Sequence, residues 1–233
     1  MTQTKRRRRM DLDSRPARRG VWFLAALALA GCTKAPPRPT SSSAADDDVL
    51  FADVAVDRGL MVRVKTSGLA FERLIGITPD FEEQPAKGVV LLTEPGRGHD
   101  ALRAVRGKLE GSPYAAYLYD DGFGRTPDRI AILEAHDDYG YLAVVRPDGI
   151  NYDLDHEKVL EVYRRWDAAY GLALVGASQD WIEAEIKRPP SDWLAFAQEV
   201  YEFCPDVVDQ GTNDVETLAR EMRERSLLYL WWD

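Results

Sequence analysis

A ten-residue apolar run, Val21 to Ala30 (VWFLAALALA), sits behind a cluster of arginines and divides the chain. It is too short to cross a bilayer as a helix, which takes about 20 residues. Arg15, Arg18 and Arg19 precede it, and small residues close it. A charged start, a short apolar centre and a small-residue end form the pattern of a cleaved export signal, so residues 1–31 are expected to stand outside the fold. Met10 is an alternative start that would give a more usual signal length. The residues after Arg18-Arg19 fit a twin-arginine signal poorly, which leaves the general secretory route.

The next stretch, Thr33 to Asp48 (TKAPPRPTSSSAADDD), has three prolines and no hydrophobic residue larger than alanine. It has too little apolar surface to offset the entropy of ordering, so it is expected to be a disordered tether. Asp46, Asp47 and Asp48 read as a solvated acidic run. Folding is expected to begin at Val49, as a single α+β domain over residues 49–233.

Charge differs sharply between the ends. The formal net charge is -9, but residues 1–31 hold eight basic and two acidic side chains, leaving 22 bases against 37 acids and a net of -15. A body this acidic repels phosphate backbones, so nucleic acid is not an expected partner. There are two cysteines, Cys32 and Cys204. If Cys32 is modified, no internal disulfide remains, and stability rests on the core.

Periodicity supplies the elements. Strands are expected at 49–56, 60–65, 88–93, 114–119, 129–134, 172–175, 181–186 and 227–232. Helices are expected at 100–108, 156–170, 192–203 and 214–224, with a weaker one at 138–145. Trp193, Phe196, Ala197, Val200, Tyr201 and Cys204 form one apolar stripe at spacings of three and four. Ser191 is the expected cap of that helix, Asp155 of the helix from His156, and Asn213 with Glu216 resembles a capping box. The last strand is apolar on both alternating faces and is expected to be buried. Strands and helices mix without strict βαβ repetition, which predicts α+β: a mixed sheet with helices packed on it.

No Gly-x-Ser-x-Gly elbow, Walker loop or dinucleotide fingerprint occurs. Gly122-Phe123-Gly124 is too short for a phosphate cradle. His136-Asp137-Asp138 and Asp153-Leu154-Asp155-His156 each group possible ligands, but neither has a second histidine at zinc spacing or the pattern of a calcium loop. They read as turns and caps, and neither a metal nor a cofactor is expected. Cys204 lies at a helix C-terminus, where the dipole disfavours a thiolate, and reads as a buried structural thiol.

Two resemblances add to this. Leu29-Ala30-Gly31-Cys32 resembles the lipobox of bacterial lipoproteins, whose cysteine is acylated before cleavage on its N-terminal side. The resemblance implies a lipidated Cys32, a membrane partner held through that lipid, and a place in the cell envelope, on the periplasmic face or the outer membrane. Several acyl chains anchor stably where one does not, at roughly 0.8 kcal/mol per buried methylene. The second resemblance rests on Asp148-Gly149-Ile150-Asn151-Tyr152-Asp153, Trp166, Leu174 to Ala177 with Asp180, and Phe196-Ala197 with Glu199. It continues through Phe203-Cys204-Pro205-Asp206 and Gln210-Gly211 to Leu230-Trp231-Trp232-Asp233. Over about residues 85 to 233 this is similar to the bacterial family catalogued as domain of unknown function 4253, which implies an α+β domain and supplies no activity. Within the pattern, Asp180 and Asp206, with His136, are the candidate catalytic groups, and Trp166, Trp231, Trp232 and Asp233 the candidate binding residues. The favoured reading of Asp206, Asp209 and Gln210 is that they close the turn after a helix through side-chain to backbone hydrogen bonds. The reading favoured is a non-enzymatic binding or interaction module for an unknown protein or small ligand. Its rival is an envelope hydrolase using Asp180, Asp206 or His136, with or without a divalent metal.

Overall fold

A computed structural model describes residues 43–233. The expected signal at 1–31, Cys32 and residues 33–42 of the expected tether lie outside the described residues. The elements run α1 (Ala44–Val54), α2 (Arg58–Lys65), β1 (Ala70–Ile77), β2 (Glu83–Leu92), α3 (Gly98–Leu109), β3 (Tyr114–Asp120), β4 (Arg129–Glu134) and α4 (Asp138–Val145). They continue with α5 (His156–Tyr170), β5 (Leu172–Ala177), β6 (Trp181–Ile186), α6 (Trp193–Phe203), α7 (Val215–Arg225) and β7 (Leu227–Trp231). A 3-10 turn, Ile150–Tyr152, precedes α5, and a π turn, Val207–Thr212, links α6 to α7.

The seven strands form one mixed sheet in the order β1-β2-β4-β3-β5-β6-β7, so the class is α+β as expected. Every neighbouring pair is antiparallel except β3 and β5. Successive residues of the central strands enter different cores. Val89, Leu91, Ile130 and Ile132 pack toward α1, α2 and α3, whereas Val90, Leu92, Ala131 and Leu133 pack toward α4 to α7. A strand covered on both faces reads as a continuous apolar run, which is why β2 and β4 do. β7 closes one edge of the sheet; Leu228 and Leu230 are buried, while Leu227 and Tyr229 are only half-buried. The expectation of a fully buried last strand is therefore corrected.

The N-terminal expectations change most. The acidic run is not tether: Ser43 and Asp46 form a reciprocal capping box that starts α1. Asp47 is buried against Lys65, and Asp48 holds Arg58 at 2.8 Å. Acids at a helix start satisfy free backbone N–H groups and complement the dipole. The strand expected at 49–56 is the rest of this helix, with Phe51 and Val54 facing the core. The strand expected at 60–65 is α2, capped by Asp57, which accepts from the Leu60 N–H at 2.6 Å, and burying Leu60, Met61 and Val64. β1 was not anticipated. Asp155 caps α5 as expected, accepting from the Lys158 N–H at 2.9 Å. The caps of α6 and α7 shift by one residue. Asp192, not Ser191, accepts from the Leu194 and Ala195 N–H groups, and Asp214, not Asn213, accepts from that of Thr217.

Candidate functional site

The segments that carry the family pattern are far apart in sequence, and the fold gathers several of them where β7 ends. Asp206 is 2% exposed. Its Oδ1 accepts from the Tyr152 hydroxyl at 2.6 Å and from Gln210 Nε2 at 2.9 Å, and its Oδ2 accepts from the Asp233 N–H at 2.9 Å. Asn151 Nδ2 donates to the Asp233 carbonyl, and the Trp232 N–H donates to the Asp180 carbonyl at 2.9 Å. Asp148 is buried as well. It accepts from the Ile150 N–H at 3.3 Å and from Gln179 Nε2 at 3.4 Å, while its own N–H donates to the Gln179 carbonyl at 2.9 Å. Burial raises the Asp148 carboxyl above the usual range, against the lowering by these bonds.

Gly149 is glycine for a steric reason: a Cβ there would lie 2.8 Å from Cδ1 of the Trp232 indole. Phe203 meets Trp232 edge-to-face at 5.7 Å. The Cys204 thiol is fully buried and donates to the Trp231 carbonyl at 3.0 Å; burial pushes its pKa well up. It is thus an inert structural thiol. The Tyr152 phenol is raised by burial and by its bond to Asp206. What this network leaves outside is the turn itself, where Ile150 is 59% and Tyr152 38% exposed.

The other expected site residues scatter. His136 is exposed just beyond β4, whose last residue, Glu134, pairs with Tyr114 at the start of β3. Asp180 follows the far end of β5, which runs parallel to β3, so His136 stands at the opposite end of the sheet from Asp180 and Asp206. Trp166 is a core residue; its Nε1 donates to Glu199 at 3.2 Å, and Phe196 and Phe203 pack edge-to-face on it. Trp231 and Trp232 are also buried, and Asp233 is exposed. Asp209 accepts from the Tyr201 hydroxyl at 3.0 Å. His156 is buried with Nδ1 3.2 Å from the Pro147 carbonyl, and burial lowers its pKa. Among the described residues no group of three or more His, Cys, Asp or Glu is placed to hold a metal ion. An open groove of about 730 Å³ between α6 and α7 is lined by Trp193, Leu194, Arg220 and Arg223, and contains none of the candidate acids.

Sequence reasoning missed one pair. His99, in the first turn of α3, places Nε2 at 2.9 and 3.2 Å from the two carboxylate oxygens of Glu183 on β6. Glu183 is buried, and the pairing raises His99 above its ordinary value against the effect of burial. Nearby, Asp128 accepts from the Gly98 N–H at 2.6 Å and the Gly122 N–H at 2.9 Å, fixing the start of α3 to the loop before β4. The sequence offers no clear signal, because Glu183 shares a face of β6 with Glu185 and so reads as exposed, and only the fold buries it. Such an acid needs a partner. Nothing in the sequence names His99, 84 residues away, as that partner.

Residues 129–233 match the family described as Domain of unknown function (DUF4253), a narrower span than the sequence pattern implied. No curated protein and no solved structure matches the chain. The match begins at β4, yet β3, which precedes it, lies between β4 and β5 in the sheet. The chain therefore carries, over residues 129–233, a domain resembling the DUF4253 family, whose sheet is completed here by a strand from outside that span.

Proposed function

We propose that the chain is a lipoprotein of the bacterial envelope, held to a membrane by lipid on Cys32, whose folded part is a binding module. Its contact surface is the Gly149–Asp153 turn, and its partner is a protein or small ligand. The observation that carries this reading is the use made of Asp206. All three of its hydrogen bonds go to the turn, the π turn and the chain end, so the family's acid is engaged in holding a surface in shape. That surface presents an aliphatic and an aromatic side chain on a rigid support, the kind of residue that supplies contact energy when a partner covers it. The lipobox at Leu29 to Cys32 supports the anchor. The acidic body supports a lipid attachment over charge as the means of staying on an anionic membrane. The rival hydrolase reading uses Asp180, Asp206 or His136, and it is weakened because the sheet separates His136 from the other two, so the three do not share one pocket.

Growth with radiolabelled fatty acid tests the anchor. Label is expected in the protein and absent from Cys32→Ser, which should also stay unprocessed. Unlabelled protein, or a Cys32→Ser variant processed and membrane-bound as before, contradicts the anchor. Pull-down from detergent-solubilised envelopes tests the module, and the absence of any reproducible partner or ligand counts against it.

A further inference from the structure

We propose that the contact between β3 and β5 is a joint between two half-sheets, β1-β2-β4-β3 and β5-β6-β7, held shut by inserted side chains and latched by His99 on Glu183. Each antiparallel contact in the sheet has four or more registered pairs, whereas β3 and β5 share one, Leu118 with Gly176. The strands pinch there: a Cβ on Gly176 would lie 2.2 Å from the Leu118 carbonyl oxygen. Away from the pinch, backbone groups of the two strands bond side chains instead of each other. The Leu174 N–H donates to Asp138 Oδ2 at 2.8 Å, and the Leu174 carbonyl accepts from Arg106 Nη2 at 2.7 Å. Arg106 Nε reaches the Ala116 carbonyl at 2.9 Å, and the Tyr117 hydroxyl donates to Asp138 Oδ1 at 3.0 Å. Arg106 enters from α3 on one face and Asp138 from α4 on the other.

Parallel pairing is already the weaker kind, and long side chains lose rotamer freedom when they substitute for it. The halves are therefore joined by few contacts on the α3 face. There the apolar core includes from the second half only Val175, with Trp181 and Leu227 half-buried against it. On the opposite face the core runs unbroken across both halves, from Leu74 and Tyr117 to Leu174 and Leu230, so that face is the hinge. α3 reaches across the joint through two side chains, Arg106 and His99.

The groups facing His99 are all acidic: Glu183 on β6, and Asp121 and Asp128 in the loop after β3. Tyr229 lies directly opposite Glu183 on β7, its phenol raised by burial. On α3 itself, Asp100 is engaged by Arg97 and Arg103. A protonated imidazole therefore adds charge–charge attraction to the bond with Glu183, reinforced by Asp121 and Asp128, and a neutral one leaves the bond without it. His99 is raised in the fold, so the latch is complete below its ordinary value of about 6.5 and is lost as pH rises through the raised value.

Hydrogen exchange of the full chain in detergent micelles, from about pH 5.5 to about 8.5 and corrected for intrinsic rates, tests this. Relative to α6, exchange in residues 98–102 and 172–177 is expected to rise about fivefold across that range, the size of a charge-assisted bond reduced to a neutral one. His99→Asn should be flat at the high-pH level, and Glu183→Gln should match it. A flat wild-type profile, a rise spread evenly over α6 and α7, or an undiminished rise in His99→Asn overturns the proposal.

Discussion

Asp206 and Gly149 are the residues on which the turn depends most directly. Removing the Asp206 carboxylate leaves the Tyr152 hydroxyl, the Gln210 amide and the Asp233 N–H without their acceptor. Asp206→Ala should lower stability by about 2 kcal/mol, the scale of lost hydrogen bonds to a charged acceptor, since the three donors lie at the surface and water can reach them. A urea midpoint unchanged from wild type would show that the network is incidental. Gly149→Ala should lose about 2 kcal/mol by pushing against the Trp232 ring, read from the same unfolding curve. The two perturbed histidines act in opposite directions with pH. His156 is lowered by burial, so its contribution is present above about 6.5 and lost as pH falls toward its folded value. His99 has the reverse sign. Replacing His156 with Gln should therefore flatten the acid side of the stability profile, measured as urea midpoint against pH, and leave the alkaline side alone. A profile that loses its alkaline slope instead would contradict the assignment.

At the scale of elements, legibility followed the apolar pattern. β4, α4, α5 and β6 have the bounds that periodicity implies, because each buries a stripe or a pair of faces uninterrupted by competing signals. α1 and α2 did not. Val49 to Val56 and Leu60 to Lys65 are short and rich in valine, which suits a strand, and the features that make them helices lie upstream, in Ser43–Asp46 and Asp57. An acidic run read as solvated was in fact a capping box. The caps of α6 and α7 shifted by a residue for a different reason: Ser191 beside Asp192, and Asn213 beside Asp214, are all cap-forming residue types. That displacement is testable: Asp192→Ala should cost about 1 kcal/mol and Ser191→Ala close to nothing, by thermal unfolding. Equal effects would restore the alternative. As for the site, the sequence marks the residues that carry a resemblance to the family, and the roles of Asp206, Cys204 and the tryptophans emerge only from the contacts they make. The pairing of His99 with Glu183 depends on a crossover that no local pattern encodes.

For the molecule as a whole, the family match and the folding unit do not coincide. Residues 129–233 supply β4 and the half-sheet β5-β6-β7, but β3 must sit between them. A fragment of residues 129–233 should therefore remain unfolded by circular dichroism and hydrogen exchange, with β4 lacking both its strand neighbours. A cooperatively folded fragment would show that the matched span is self-sufficient and that β3 is an accessory. The larger claim is that the buried acids of the pattern serve to hold Ile150 and Tyr152 outward for a partner. The most direct measurement is capture from detergent-solubilised envelopes by the lipidated full chain, wild type against the Ile150→Ala, Tyr152→Ala double variant. The account predicts a double variant that is anchored and folded, losing no more than about 1 kcal/mol of stability with the Tyr152 hydroxyl, yet no longer retains the partner that the wild type retains. Undiminished capture by a folded double variant would contradict it.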